Sequence, residues 1–369
     1  MTTNNDAWSW YRNVLGAPQF VCAPMVRQSE LAFRLLTRRL GCQLAFTPMF
    51  VASDVVAAAA GSMDATIDVS HQFFATADED RPLIVQLAGN DPITLATAVA
   101  LLQHRCDGID LNLGCPQRCA RTGHFGAYLL DDPDLVEQVV RAMVHVAKVP
   151  ITCKIRIQQD IRASIDLARR LEDAGCSMLT VHGRLRTQRH HEGTCNWDAI
   201  RQIRQSVAIP VLANGGIQSR QHAVECIKYT GCAGVMSATA LLQNPAALSA
   251  SPTSVYATAL QYLALAREYP PLHADTTRDH ILTMMRSKCQ RQFIDLWGVI
   301  QHVQLPDQLE ACVVHVASRH DDTVVVSTLF NDWEALPSFK DIKSNWTSRP
   351  NGWDVDHAVE LRGWANEDY

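Results

Sequence analysis

Short, continuously apolar runs alternate with stretches of helical period along the first two-thirds of the chain. Gln19–Met25, Leu44–Pro48, Pro82–Ala88, Ile109–Leu113, Pro150–Arg156, Met178–His182, Ile209–Ala213 and Gly234–Ser237 each read as a buried strand. Ser29–Leu40, Pro92–Gln103, Asp132–Ala147, Ile161–Ala174, Trp197–Gln205 and Gln221–Tyr229 have helical spacing, and a helix-compatible run follows the second strand to Ala60. Ser29 is the expected N-cap of the first helix and Gly41 its stop. Eight such strands alternating with amphipathic helices predict an α/β fold of the (β/α)8 TIM-barrel type over residues 1–250. An open doubly wound sheet is the alternative, but no G-x-G-x-x-G follows the first strand.

The pattern changes after Pro252. Val255–Ala266 and Arg278–Ile300 are helical, with Tyr269-Pro270-Pro271 breaking between them, which predicts a small helical domain over 251–310. Ala311–Ala317 and Thr323–Leu329 look β-prone, and 311–369 is set apart as a C-terminal extension. Its end is acidic: from Asp321 onward there are ten carboxylates against Lys340, Lys343, Arg349 and Arg362. The net charge of −5 therefore sits in that tail, and the body is free to carry a basic face. With 47% hydrophobic and 19% charged residues the composition is globular, and no apolar run reaches the roughly 18 residues of a membrane span. The start, Met-Thr-Thr-Asn-Asn-Asp, has no secretory or transit character, so the twelve cysteines are expected as reduced thiols in a cytoplasmic or nuclear monomer.

In a barrel of this kind the chemistry is expected at the C-terminal ends of the strands. Those ends carry Pro24 and Met25, Thr47, Gln86, Asn112, Lys154 and Arg156, His182 and Arg184, Asn214-Gly215-Gly216, and Gly234 with Ser237. Amide, cation and imidazole donors thus converge on one mouth, and glycines after the last two strands suit a phosphate held by backbone N–H groups. Just past the fourth strand, Gly114 and Pro116 place Cys115 on a tight turn, followed by Arg118, Arg121, Gly123 and Gly126. A thiol there is a candidate proton donor; the plainer alternative is a buried structural cysteine. No C-x-x-C pair and no Asp/Glu/His cluster of metal-ligand type occurs, so no metal is expected.

The residues also carry a resemblance. Ala23-Pro-Met-Val-Arg-Gln-Ser-Glu-Leu-Ala-Phe-Arg34, Thr47-Pro-Met-Phe50, Leu111-Asn-Leu-Gly-Cys-Pro-Gln117, Cys153-Lys-Ile-Arg-Ile157, Val181-His-Gly-Arg184, Ala213-Asn-Gly-Gly-Ile217 and Gly234-Val-Met-Ser-Ala238 resemble the tRNA-dihydrouridine synthases. The similarity is greatest to the eukaryotic subgroup that modifies neighbouring uridines of the D-loop (positions 16/17), and spans about 19–295. Arg27 stands where that subgroup usually has an acid, Cys119 replaces an aliphatic residue, and Thr239-Ala240 replaces a Glu-Gly pair.

The resemblance implies an enzyme that takes electrons from NADPH through FMN to reduce a uracil in tRNA, with Cys115 as the acid. Pro24, Met25, Gln86, Lys154, His182, Asn214, Gly215, Gly216, Gly234 and Ser237 would then hold the flavin. Asn112, Arg156, Arg184, Arg278, Arg286 and Arg291 would hold the tRNA, the last three on a docking helix. A flavin barrel acting on a free pyrimidine or small enone, and a non-catalytic tRNA-binding protein, are the competing expectations.

Overall fold

The eight apolar runs close into one parallel barrel in chain order: β1 (Phe20–Cys22), β2 (Leu44–Val51), β3 (Leu83–Ala88), β4 (Gly108–Leu113), β5 (Ile151–Arg156), β6 (Met178–His182), β7 (Val211–Asn214) and β8 (Gly234–Ser237). A computed structural model describes residues 4–61, 68–188, 192–273, 275–292 and 305–319, together with Trp297, Ile300, Gln301 and Val303. β8 pairs back to β1 through Val21 and Met236, so the sheet has no open edge. Every residue of β3 and β4 is buried, because helices cover one face and the barrel interior fills the other.

α1 (Asn4–Asn13) precedes the barrel, α3 (Ala52–Gly61) follows β2, α5 (Arg118–Thr122) follows β4 and α10 (Thr239–Gln243) follows β8. Most of the longer barrel helices begin where the sequence supplies an acceptor for their free N–H groups. Asp91 caps α4 (Pro92–Leu102), Asp132 caps α6 (Pro133–Val146), Asp160 caps α7 (Ile161–Asp173), Asn196 caps α8 (Trp197–Ser206) and Ser219 caps α9 (Arg220–Thr230). The helix after β1 departs from expectation. It is α2 (Leu31–Arg39), and Glu30 occupies its N-cap position without a side-chain cap. Ser29 Oγ instead accepts from Met25 N at 3.0 Å and donates to Met25 O at 3.2 Å, closing the turn that follows β1.

Beyond the barrel, α11 (Val255–Glu268) and α12 (Asp275–Gln292) dock on the outside of α2. Glu30 is the joint: it accepts from Tyr262 Oη at 2.8 Å and meets His280 Nε2 at 3.1 Å, while His280 stacks on Phe33 with ring centroids 4.4 Å apart. The β-prone reading of Ala311–Ala317 is corrected. Those residues lie in a helix, Pro306–Arg319, so the helical segment runs past residue 310. Leu309, Cys312, Val313, Val316 and Ala317 are all fully buried, a spacing of three and four that fits a helix packed against α11 and overrides the β propensity of its valines. Thr323–Leu329, and the acidic tail from Asp321 onward, lie outside the described residues.

Candidate active site

Alternation along the strands decides which side chains enter the barrel. In β4, Ile109, Leu111 and Leu113 belong to the apolar core, leaving Asp110 and Asn112 on the opposite, inward face. Register then brings polar neighbours alongside: Gln86 beside Asp110, Asn112 beside Lys154, Arg156 beside His182, and His182 beside Asn214. The strand ends therefore assemble one polar mouth, as the sequence predicts.

Its deepest part is a chain of hydrogen bonds. Thr152 Oγ1 donates to Asp110 Oδ1 at 2.6 Å, and Gln86 Nε2 donates to Asp110 Oδ2 at 2.8 Å. Asn112 Nδ2 donates to Gln86 Oε1 at 2.9 Å, and Asn112 Oδ1 accepts the backbone N–H groups of Gly114 at 3.1 Å and Cys115 at 2.8 Å. Each side-chain amide keeps one further N–H that these bonds do not use. Burial raises the Asp110 carboxyl to about 6, with Thr152, Gln86 and the Lys154 charge pulling it back.

Cys115 sits where this chain ends. Its turn is clasped from above by the next loop: Ala127 N donates to Cys115 O at 2.9 Å, and Tyr128 Oη donates to Pro116 O at 3.1 Å. Gly126, at φ +63°, lies so close that a Cβ there would stand 2.7 Å from Cys115 O. The half-buried thiol packs against a small apolar cluster of Ala88, Ala120 and Phe125. A hydrogen bond to Cys119 and then burial push its pKa well above the usual thiol value, with Arg156 opposing weakly. Cys115 is thus held protonated at neutral pH, as a proton donor must be.

Around it stand the other donors. Lys154 is partly buried and its ammonium makes no hydrogen bond to another described residue; burial, then the Arg156 charge, lower its pKa to about 8. His182 leans against Gly215, whose φ of +101° and lack of a side chain admit the imidazole. Gly216 follows at φ +73°. After β8 comes a short helix, Thr239–Gln243, in which Ala240 has ordinary helical geometry, so the absent glycine costs the turn nothing. Asn214 Nδ2 donates to Met236 O at 2.9 Å and Ser237 Oγ to Ile217 O at 3.4 Å, tying these turns together. Pro24 is half-buried on the mouth side of β1, and the Met25 side chain is fully buried.

Gly234 is a correction. It opens β8 at the opposite end of the barrel, where a Cβ would meet Pro18 O at 2.5 Å, so it serves strand packing and does not face the mouth. Several arginines are engaged by the protein itself. Arg156 donates to Gly114 O at 2.8 Å, Leu185 O at 2.9 Å and Gln188 O at 3.0 Å, fastening the Cys115 turn to the loop after β6. Arg184 donates to Glu192 O and Gly193 O. Arg278 lies between Asp275 at 3.2 Å and Asp279 at 3.3 Å. Arg286 is exposed on α12; Arg291 lies on the same helix, its side chain outside the described ones. Among the described residues no group of His, Cys, Asp and Glu is arranged to hold a metal, and no helix is long and apolar enough to cross a membrane.

The dihydrouridine synthase family model matches residues 21–312, which takes in the barrel, α11, α12 and half of the following helix. The chain belongs to the dihydrouridine synthase family. A mouse protein named tRNA-dihydrouridine(16/17) synthase [NAD(P)(+)]-like is 44% identical over 266 residues, 72% of this chain and 55% of that one. A mouse tRNA-dihydrouridine(20a/20b) synthase [NAD(P)+]-like protein is 43% identical over 61% of this chain and 68% of its own. The tRNA-dihydrouridine(16/17) synthase of Saccharomyces cerevisiae is 39% identical over 65% and 56%. The chain spans little more than half the length of its 16/17-type relatives.

In this dihydrouridine synthase family member, two residues linked to Cys115 by these contacts escape a reading of strand ends. Asp110 lies mid-strand, where only the alternation Ile-Asp-Leu-Asn-Leu shows that it shares a face with Asn112. Cys119 stands where the resembling subgroup has an aliphatic residue, and the first turn of the helix Arg118–Thr122 brings it to the Cys115 thiol.

Proposed function

We propose that this chain reduces uridine in the D-loop of tRNA to 5,6-dihydrouridine, with FMN held across the barrel mouth and NADPH as electron donor. The observation that carries the reading is a single one: a thiol kept protonated, on a turn fastened from three sides, faces the same mouth as an imidazole and a lysine whose ammonium makes no hydrogen bond among the described residues. The donor set suits a flavin. Lys154, His182 and the spare N–H of Gln86 match the carbonyl and nitrogen edge of the ring, where negative charge grows on reduction. Gly215 and Gly216 turn at positive φ where a side chain would meet His182 and Cys195, and their backbone N–H groups, with Ser237 and the short helix after β8, would hold the phosphate.

When bound, a reduced flavin supplies hydride to C6 of a uracil ring. The protein then has three tasks. Cys115 Sγ gives a proton to C5, Asn112 and its neighbours hold the uracil carbonyls, and the half-buried mouth keeps water from competing for the site. A base stacked within a folded tRNA has to be extruded to reach that depth. Arg286 and the neighbouring part of α12 would meet the phosphates.

A second reading, reduction of a free pyrimidine or small enone, is favoured by the pairing of Arg278 with Asp275 and Asp279 and of Arg186 with Asp131 at 2.5 Å. The absorbance of the purified protein tests the core of the proposal. Flavin bands at about 375 and 450 nm that bleach with NADPH are expected; colourless protein that does not oxidise NADPH contradicts it.

A further inference from the structure

The hydrogen-bond chain behind Cys115 has a direction, and chemistry at its two ends enforces it. Backbone N–H groups of Gly114 and Cys115 can only donate, so Asn112 must turn its carbonyl oxygen toward them. An ionised carboxylate can only accept, so Gln86 must turn its nitrogen toward Asp110. Between these ends one arrangement remains, Asn112 Nδ2 donating to Gln86 Oε1. Asp110, Gln86, Asn112 and Thr152 are all buried, so water does not repair a wrong orientation cheaply.

We infer that Asp110 is a positioning residue for Cys115: its carboxylate fixes which way round two side-chain amides stand, and through them the turn that carries the thiol. Asp110 never needs to touch substrate or flavin. Inverting the chain would set the Asn112 nitrogen against two backbone donors and release the turn. The inference rests on the role proposed for Cys115 only for its catalytic meaning; the structural linkage stands on the distances.

Thr152 makes the idea testable, because it occupies the other Asp110 oxygen at 2.6 Å. In Asp110→Asn the new amide can give its nitrogen to Thr152 Oγ1 and keep its oxygen for Gln86, so the direction survives. In Asp110→Asn/Thr152→Val that outlet is gone, the nitrogen turns to Gln86, and the chain inverts. Thr152→Val alone leaves the carboxylate and the direction intact.

Hydrogen–deuterium exchange of the segment containing Gly114 and Cys115, resolved to single amides, reads this without flavin or tRNA turnover. Those two amides should exchange at least about tenfold faster in the double variant than in either single variant, the equivalent of one missing hydrogen bond. Ladder amides such as Ile109, which donates to Pro150 O at 3.0 Å, should stay protected. Equal protection in all four proteins, or the same loss in Thr152→Val alone, overturns the inference. Should the double variant not fold, Gln86→Met removes the acceptor that anchors Asn112 Nδ2 and separates Asp110 from Asn112 while leaving Asp110 its threonine, and with that anchor lost the same two amides are expected to exchange faster. Retained protection there overturns it as well. Product formation by Cys115→Ala is scored separately: it would defeat the proposed reaction while leaving the linkage untouched.

Discussion

Gly215 lies where any side chain would collide with His182: a Cβ added there would stand 2.4 Å from the imidazole Cδ2 and 2.6 Å from Nε2. The same glycine sits at φ +101°, which side chains rarely adopt. Gly215→Ala should therefore push the imidazole out of the mouth and strain the turn after β7. The expected result is loss of bound flavin with a destabilisation of about 1–3 kcal/mol. Flavin titration and thermal melting of the variant check both halves.

Lys154 gives the site a pH signature. Its pKa of about 8 means that it is charged below that pH and progressively neutral above it. If its cation holds the flavin, the apparent Kd for FMN is constant below pH 8 and rises above it. Lys154→Arg, which stays protonated throughout, should flatten that rise. Lys154→Ala should weaken binding at every pH and remove the dependence. A wild-type Kd that is level from pH 7 to about 10, across the Lys154 transition, would assign the ring's partner elsewhere.

Arg34 and Asp80 form a fully buried ion pair at 2.6 Å, completed by Ser29 O, Ala75 O and Arg38. Removing one partner strands a charge in the core. Asp80→Ala should cost about 3–5 kcal/mol of stability in denaturant unfolding. The paired change Arg34→Met/Asp80→Leu should recover part of that loss, since the buried Arg34 charge goes with its carboxylate and only Arg38, which also donates to Pro82 O, loses a charged partner.

Binding of tRNA should discriminate between two arginines of α12. Arg278 is occupied by Asp275 and Asp279, so Arg278→Gln is expected to leave the salt dependence of binding nearly unchanged. Arg286→Glu should weaken binding and lower the salt slope by about one unit for each phosphate that the helix no longer neutralises. Filter binding across a range of salt measures both. The opposite ranking would move the docking surface to the part of the helix that holds Arg278.

Much of this architecture is legible in the sequence because barrel strands are covered on both faces and so remain apolar from end to end. The run Ile209–Ala213 reads as a strand for that reason, and Gly114 and Pro116 mark the turn that presents Cys115. What escapes is information carried by distance along the chain. Arg34 finds Asp80 across 46 positions and Arg156 finds Gly114 across 42, and neither pairing has a local signature. Gly234 is the first residue of a four-residue strand and so belongs to the end away from the mouth, where its lack of a side chain admits Pro18 O. The valines of Ala311–Ala317 favour a strand by propensity, but burial at every third and fourth residue makes them helical.

The central claim is that Cys115 protonates a uracil ring that receives hydride at this mouth. It is tested most directly by incubating wild type and Cys115→Ala, both loaded with FMN, with NADPH and tRNA lacking dihydrouridine. Nucleoside mass spectrometry then follows the two-hydrogen mass gain at uridine. Wild type should form dihydrouridine, while Cys115→Ala keeps its flavin and its NADPH oxidation but forms product at least about a hundredfold more slowly, the usual loss for a missing general acid. Wild-type yield from Cys115→Ala would contradict the account.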